Sequence, residues 1–150
     1  MAAPRWLNDD EQELWRFILA AIRRLERGMD ETLQQDSDLS ASEFSVLVTL
    51  SEAADRRMRL RDICVELEWD RSRASHQITR MERRGLVAKN KCAEDARGVL
   101  VELLPEGMKR LETAAPAHVE SVRRMVFDKL STQDVAVFRE LLNKLLEIDH

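Results

Sequence analysis

Arg71, Ser72, Arg73, Ser75, His76, Gln77 and Arg80 crowd into ten consecutive positions of the chain. These side chains donate and accept hydrogen bonds and carry positive charge. An arginine can hold guanine O6 and N7 with two bonds and a glutamine can do the same for adenine, each worth about 1–3 kcal/mol of discrimination. The chemistry such residues offer is therefore contact with phosphates and base edges. Base contact is expected from Ser72, Arg73 and His76, and to a lesser degree from Gln77, which falls nearer the apolar side. Phosphate contact is expected from Arg71, Ser75 and Arg80. Glu82 is the only acid between Asp70 and Arg84, too few to neutralise the five arginines of that stretch. Catalysis would require a nucleophile with its base, a metal cluster or a phosphate-cradling glycine loop. The chain has four glycines, none clustered, and no such constellation, so neither an enzyme nor a cofactor is expected. His118 stands without the three or four convergent ligands that zinc needs, so no metal is expected either.

These residues need an element to carry them. Asp70 is a plausible N-cap, and Ala74, Ile78 and Met81 recur at helical steps, so Ser72, Arg73, His76, Thr79, Arg80 and Arg83 face the other way. Gly85 suits the helix end, and Leu86 and Val87 resume the core. Upstream, Arg61 to Glu68 forms a short helix with Ile63, Cys64 and Leu67 on one side, and Trp69 fills the turn between the two. Met58 to Leu60 is a possible short strand. Downstream the period changes: 87–91 and 99–103 alternate like strands, with Cys92 to Gly98 as the turn. Two helices, a turn, a basic helix and a hairpin make a winged helix-turn-helix.

The flanking segments are helical. Asn8 to Glu11 and Ser40 to Glu43 both carry capping boxes. The first helix bears Leu14, Phe17, Ile18, Ala21, Ile22, Leu25 and Met29 as one stripe, and Gly28 weakens it near its end. A long helix starts at Pro105, where the missing N–H costs nothing, and Pro116 should kink it without ending it. A last helix after Ser131 carries Val135, Val137, Phe138, Leu141, Leu142, Leu145, Leu146 and Ile148. The whole is expected to be mainly α, about six helices with a two- or three-stranded wing sheet. Residues 1–38 and 105–150 form dimerisation helices around a DNA-binding domain at 39–104. The first and last helices are expected to pack together and against a second copy, because a small winged core needs neither.

Charge distribution supports the same division. The net charge of −4 hides a segment, Arg56 to Arg97, with 12 basic and 7 acidic residues (+5), while the remainder has 12 and 21 (−9). A local basic face sets the field that a phosphate backbone feels. Two cysteines make no disulfide framework; Cys64 reads as core and Cys92 lies near the hairpin tip. With no apolar leader and no run of 18 apolar residues, the chain is expected in the cytoplasm with no membrane partner.

The chain resembles the MarR family of bacterial transcription regulators over nearly its whole length. The resemblance rests on Leu39-Ser40-Ala41-Ser42-Glu43-Phe44-Ser45-Val46-Leu47, Leu60-Arg61-Asp62-Ile63-Cys64 and Asp70-Arg71-Ser72-Arg73-Ala74-Ser75. It continues through Arg80 to Val87, the wing motif Asp95-Ala96-Arg97-Gly98, and 101–107, where Leu104 replaces a more usual threonine. The resemblance implies a triangular homodimer that represses palindromic operators on double-stranded DNA, released in many members by a small anionic or aromatic ligand. It implies minor-groove insertion of Arg97 at the wing, a narrow A·T-rich groove favouring a guanidinium there. Asp95 would orient that arginine. Lys89 and Lys91 are phosphate contacts or solvated charges. The implied ligand pocket lies between dimerisation helices and lobe, with Trp15, Arg16, Phe17 and Phe44 as candidates, each also readable as core or surface. Two other readings stay open: a winged-helix protein-interaction module and a non-specific architectural DNA binder.

Overall fold

The computed structural model describes residues 1–93 and 97–147. Two sequence expectations, Asp95 at the wing and Ile148 in the last helix, lie outside them. The described elements run α1 (Asp9–Ser37), α2 (Ala41–Glu52), β1 (Arg57–Arg59), α3 (Leu60–Leu67), α4 (Arg71–Arg83), β2 (Val87–Lys91), β3 (Val99–Leu103), α5 (Pro105–Met125) and α6 (Thr132–Leu146). Short 3-10 turns at Ala54–Arg56 and Phe127–Lys129 join α2 to β1 and α5 to α6.

Local chemistry sets most boundaries. Asn8 and Glu11 exchange side-chain and backbone bonds at the start of α1, and Ser40 and Glu43 do the same for α2, so each helix begins with its orphan N–H groups satisfied. Ser131 with Asp134 opens α6 in the same way. At the end of α4, Gly85 takes φ +74°, and the N–H groups of Gly85 and Leu86 bond back to the Glu82 and Met81 carbonyls. That arrangement needs a left-handed residue at the glycine, which costs a Cβ-bearing residue more. The helix from Pro105 continues through Pro116, as the unbroken apolar pattern implied.

The sheet is antiparallel with order β1-β3-β2, and Val101 in the central strand faces Met58 on one side and Lys89 on the other. The sequence placed the first strand at Met58 to Leu60. It sits one residue earlier because Leu60 is buried and already opens α3. Leu47, Leu50, Ile63, Ile78, Met81, Leu86 and Val101 form the centre of the core, all with no exposed surface. Cys64 is half-buried against this core, and Cys92 is half-buried beside the hairpin turn.

Within one chain α1 lies along α5, whereas the expected packing of the first and last helices together and against a second copy involves a partner chain. Small side chains explain the choice. Gly28 meets Met125, Thr32 Oγ1 donates to Ser121 Oγ at 3.2 Å, and Ala114 is fully buried, so the two backbones approach closely. Helix α6 has no comparable packing on any other element, and Phe138, Leu141 and Leu145 stay about half exposed. Among the described residues no helix is long and apolar enough to cross a membrane.

Candidate nucleic-acid interface

Helix α4 is held from behind and open in front. Asp70 Oδ1 accepts the Arg73 N–H at 2.7 Å and starts the helix. Ala74, Ile78 and Met81 point into the core with no exposed surface. On the opposite face Arg71, Ser72, Arg73, Ser75, His76, Arg80 and Arg83 are exposed, with Gln77 and Thr79 half-buried at its margins. Arg71, Ser72, Ser75, His76 and Thr79 line an open concavity of about 450 Å³. Among the described residues Arg71, Arg73, Arg80 and Arg83 form no ion pair. The first turn of α4 itself contains no acid, and the capping Asp70 carboxylate takes the Arg73 N–H at the positive end of the helix.

Arg73 stands apart from the concavity. Its guanidinium lies 4.4 Å above the Trp69 ring, and Nη2 is 3.4 Å from Ser42 Oγ. A stacked guanidinium keeps its edge donors free while its plane is fixed. Sequence reasoning grouped Arg73 with His76 and assigned Trp69 only to the turn. The aromatic residue four positions before Arg73 was the available signal for the stack, whereas Ser42, 31 residues away, gave none.

At the wing, the Lys89 N–H donates to Glu82 Oε2 at 2.9 Å, and Lys89 Nζ donates to Thr79 Oγ1 at 3.1 Å and sits 3.8 Å from Glu82 Oε1. Lys89 thus joins β2 to α4 and is partly neutralised. Lys91 and Arg97 are exposed on either side of the turn.

The candidate ligand residues do not converge within one chain. Trp15, Arg16 and Phe17 are exposed on α1, with roughly 30 Å of helix between Arg16 and the α1 end that leads into α2. Phe44 is buried and stacks on His118 of α5, ring centroids 4.4 Å apart and tilted 41°. Burial lowers the His118 pKa from its ordinary value of 6.5, and its buried Nδ1 has no hydrogen-bond partner among the described residues. Among the described residues no group of three or more His, Cys, Asp and Glu is placed to hold a metal ion.

Comparisons agree with this architecture. The MarR family sequence model matches residues 37–98. The HTH-type transcriptional repressor YetL of Bacillus subtilis is 27% identical over 109 residues, covering 73% of this chain; the chain spans 65% of that repressor's length. The crystal structure of Sco3205, a MarR family transcriptional regulator from Streptomyces coelicolor in complex with DNA, is 35% identical with a TM-score of 0.91, covering 96% of this chain and 91% of that one. AbsC, a MarR family regulator from the same organism, is 38% identical with a TM-score of 0.89, covering 96% and 97%. With identities of 35% and 38% to these two regulators over 96% of its length, the chain belongs to the MarR family of transcriptional regulators.

Proposed function

We propose that this protein is a homodimeric, sequence-specific binder of double-stranded DNA that represses transcription from palindromic operators. The observation that carries the reading is the outward face of α4: exposed Arg71, Arg73, Arg80 and Arg83, with no ion pair among the described residues, beside an open concavity lined by Arg71, Ser72, Ser75, His76 and Thr79. Residues 39–104 serve as the DNA-binding lobe, and 1–38 with 105–150 serve as dimerisation helices. Ser72, His76 and Arg73 contact bases, with Gln77 at the margin; Arg71, Ser75, Arg80 and Lys91 contact phosphates. Lys89, already tied to Glu82 and Thr79, contributes less. Arg97 enters the minor groove from the wing. The protein acts in the cytoplasm by occupying DNA rather than by turning over a substrate. Relief by a small anionic or aromatic ligand is part of the proposal, following the family resemblance.

Selection of bound sequences from a random duplex pool tests this directly. A palindrome with half-site centres about 34–36 Å apart, one helical turn, is the expected winner. If about 6–10 phosphates are contacted, affinity falls by about 10³–10⁵ between about 50 and 200 mM salt. Arg73→Ala should relax the preference at one base pair per half-site by about 1–3 kcal/mol. Salt-sensitive binding with no enriched sequence would replace the reading with an architectural role. Absence of binding by an intact dimer would replace it with a protein-interaction module.

A further inference from the structure

The ionic contacts behind the DNA-facing surface converge on Arg84, the residue that closes α4. Its Nη1 donates to Glu43 Oε2 at 2.6 Å; its Nη2 donates to the Asp38 carbonyl at 2.7 Å and lies 3.3 Å from the Asp38 carboxylate. Three elements meet there: the end of α4, the first turn of α2, and the left-handed residue that ends α1. Glu43 is only 7% exposed, and its other oxygen, Oε1, accepts the Ser40 N–H at 2.9 Å. One buried carboxylate therefore caps α2 and anchors the arginine together.

Two more bonds fix the same junction. Asp30 Oδ1 on α1 accepts the Ala41 N–H at 2.6 Å, and Arg110 Nη1 on α5 donates to the Ser37 carbonyl at 3.2 Å. The connection from the dimerisation helix to the lobe is thus held from both sides. A guanidinium is a planar fork that holds two acceptors in fixed directions, which a lysine ammonium cannot do.

We infer that Arg84 is a positioning residue that fixes the orientation of α4 relative to α1 and thereby sets the half-site spacing the dimer accepts. The inference rests on the dimeric DNA-binding reading above. In a two-fold dimer joined through its terminal helices, any tilt of the lobe against α1 appears twice and moves the two copies of α4 apart or together. Linked binding modules gain affinity only where both engage at once, about 10²–10⁴-fold when the geometry fits. A lobe released from α1 still reads one half-site but no longer rejects a wrong spacing.

The experiment uses the selected palindrome, the same palindrome with one base pair added or removed between half-sites, and a duplex carrying a single half-site. The unaltered protein is compared with Arg84→Lys and with the double variant Glu43→Gln/Arg84→Met. The lysine keeps a charge beside Glu43 without the fork, and the double variant removes both charges so that no buried carboxylate is left unpaired. Both variants should remain dimers and bind the single half-site within about twofold of the unaltered protein, yet bind the native palindrome about tenfold more weakly. Their affinities for the three spacings should lie within about threefold of one another. Retention of the original spacing preference, or equal loss on half-site and palindrome, overturns the inference. Loss of folding or of the dimer in both variants assigns Arg84 to stability alone and also overturns it. If the unaltered protein selects no duplex, the DNA-binding reading itself fails, an outcome distinct from these.

Discussion

In the winged lobe, Leu47, Leu50, Ile63, Ile78 and Leu86 show no surface, whereas on α6 Val137, Phe138, Leu141 and Leu145 each leave about half of theirs to solvent. The same contrast separates α2 from α1, where Leu14, Trp15, Phe17 and Ile22 are exposed. Both regions spend similar side chains on their helices, so hydrophobicity alone does not distinguish them. The difference lies in closure. The lobe folds three helices over a three-stranded sheet and covers its own apolar faces, while α1 and α6 present faces that a single chain does not cover. A contiguous apolar face of this kind marks an association surface, here the one assigned to a second copy. Substitutions in the two regions should accordingly fail in different ways: the lobe by unfolding, the terminal helices by dissociating.

The largest expected effect comes from the double substitution Leu141→Asp/Leu145→Asp. Both positions are half exposed in one chain, so the lobe should melt as before while sedimentation reports a monomer. Palindrome affinity should drop by the avidity of two linked sites, about 10²–10⁴-fold. A variant that stays dimeric, or one whose lobe unfolds with it, would break the comparison.

Next is Gly107, where the two regions are joined. A Cβ there would collide with the Leu86 carbonyl oxygen and come within 2.8 Å of Leu103 Cδ1, and the backbone oxygen cannot move aside. Gly107→Ala should destabilise the chain by about 1–3 kcal/mol in a denaturant titration, as overpacking does. Gly28→Ala provides the control. Its Cβ would meet the outer atoms of the Met125 side chain, Sδ first, which are flexible, and alanine gains about 1 kcal/mol of helix propensity. The expected ranking is therefore a clear loss at Gly107 and little change at Gly28. Inside the lobe, Ile78→Val removes one methylene from a fully buried site and should cost about 0.5–1.5 kcal/mol, with dimer content unchanged.

What the sequence disclosed divides along the same line. Short-range chemistry was legible: Asn8 with Glu11, Ser40 with Glu43, Asp70 as a cap and Gly85 as a stop all act within a few residues and appear where they were read. The basic face of α4 was legible too, because burial of Ala74, Ile78 and Met81 dictates which side chains turn outward. Partners distant in the chain were not. An apolar stripe says that a helix will be covered but not by what, so the close approach of α1 to α5 through Gly28, Thr32, Ala114 and Ser121 was not read from the sequence. Arg84 counted as one more basic residue of the DNA-facing stretch until folding brought Glu43, 41 residues away, against it. Arg73 turned aside for the same reason, since Ser42 becomes its neighbour only in the folded chain.

The smallest expected effect lies at the seam between the two regions, where His118 of α5 stacks on Phe44 of α2. Burial of the ring lowers its pKa, so the folded protein favours the neutral imidazole. The unfolded chain takes up a proton at the ordinary value of 6.5, and the folded chain only at a lower pH. Between those two points the unfolded state binds more protons, so stability falls as pH decreases through that window and is flat above it with respect to this group. His118→Phe keeps an aromatic ring against Phe44 and removes the titration. Denaturation midpoints taken from pH 7.5 down to pH 5 should decline less steeply for this variant than for the unaltered chain, and the two should run parallel above the histidine range. Equal slopes below pH 6.5 would show that the seam tolerates the charged ring. The division between a closed lobe and its supporting helices would then have no pH-sensitive joint at this position.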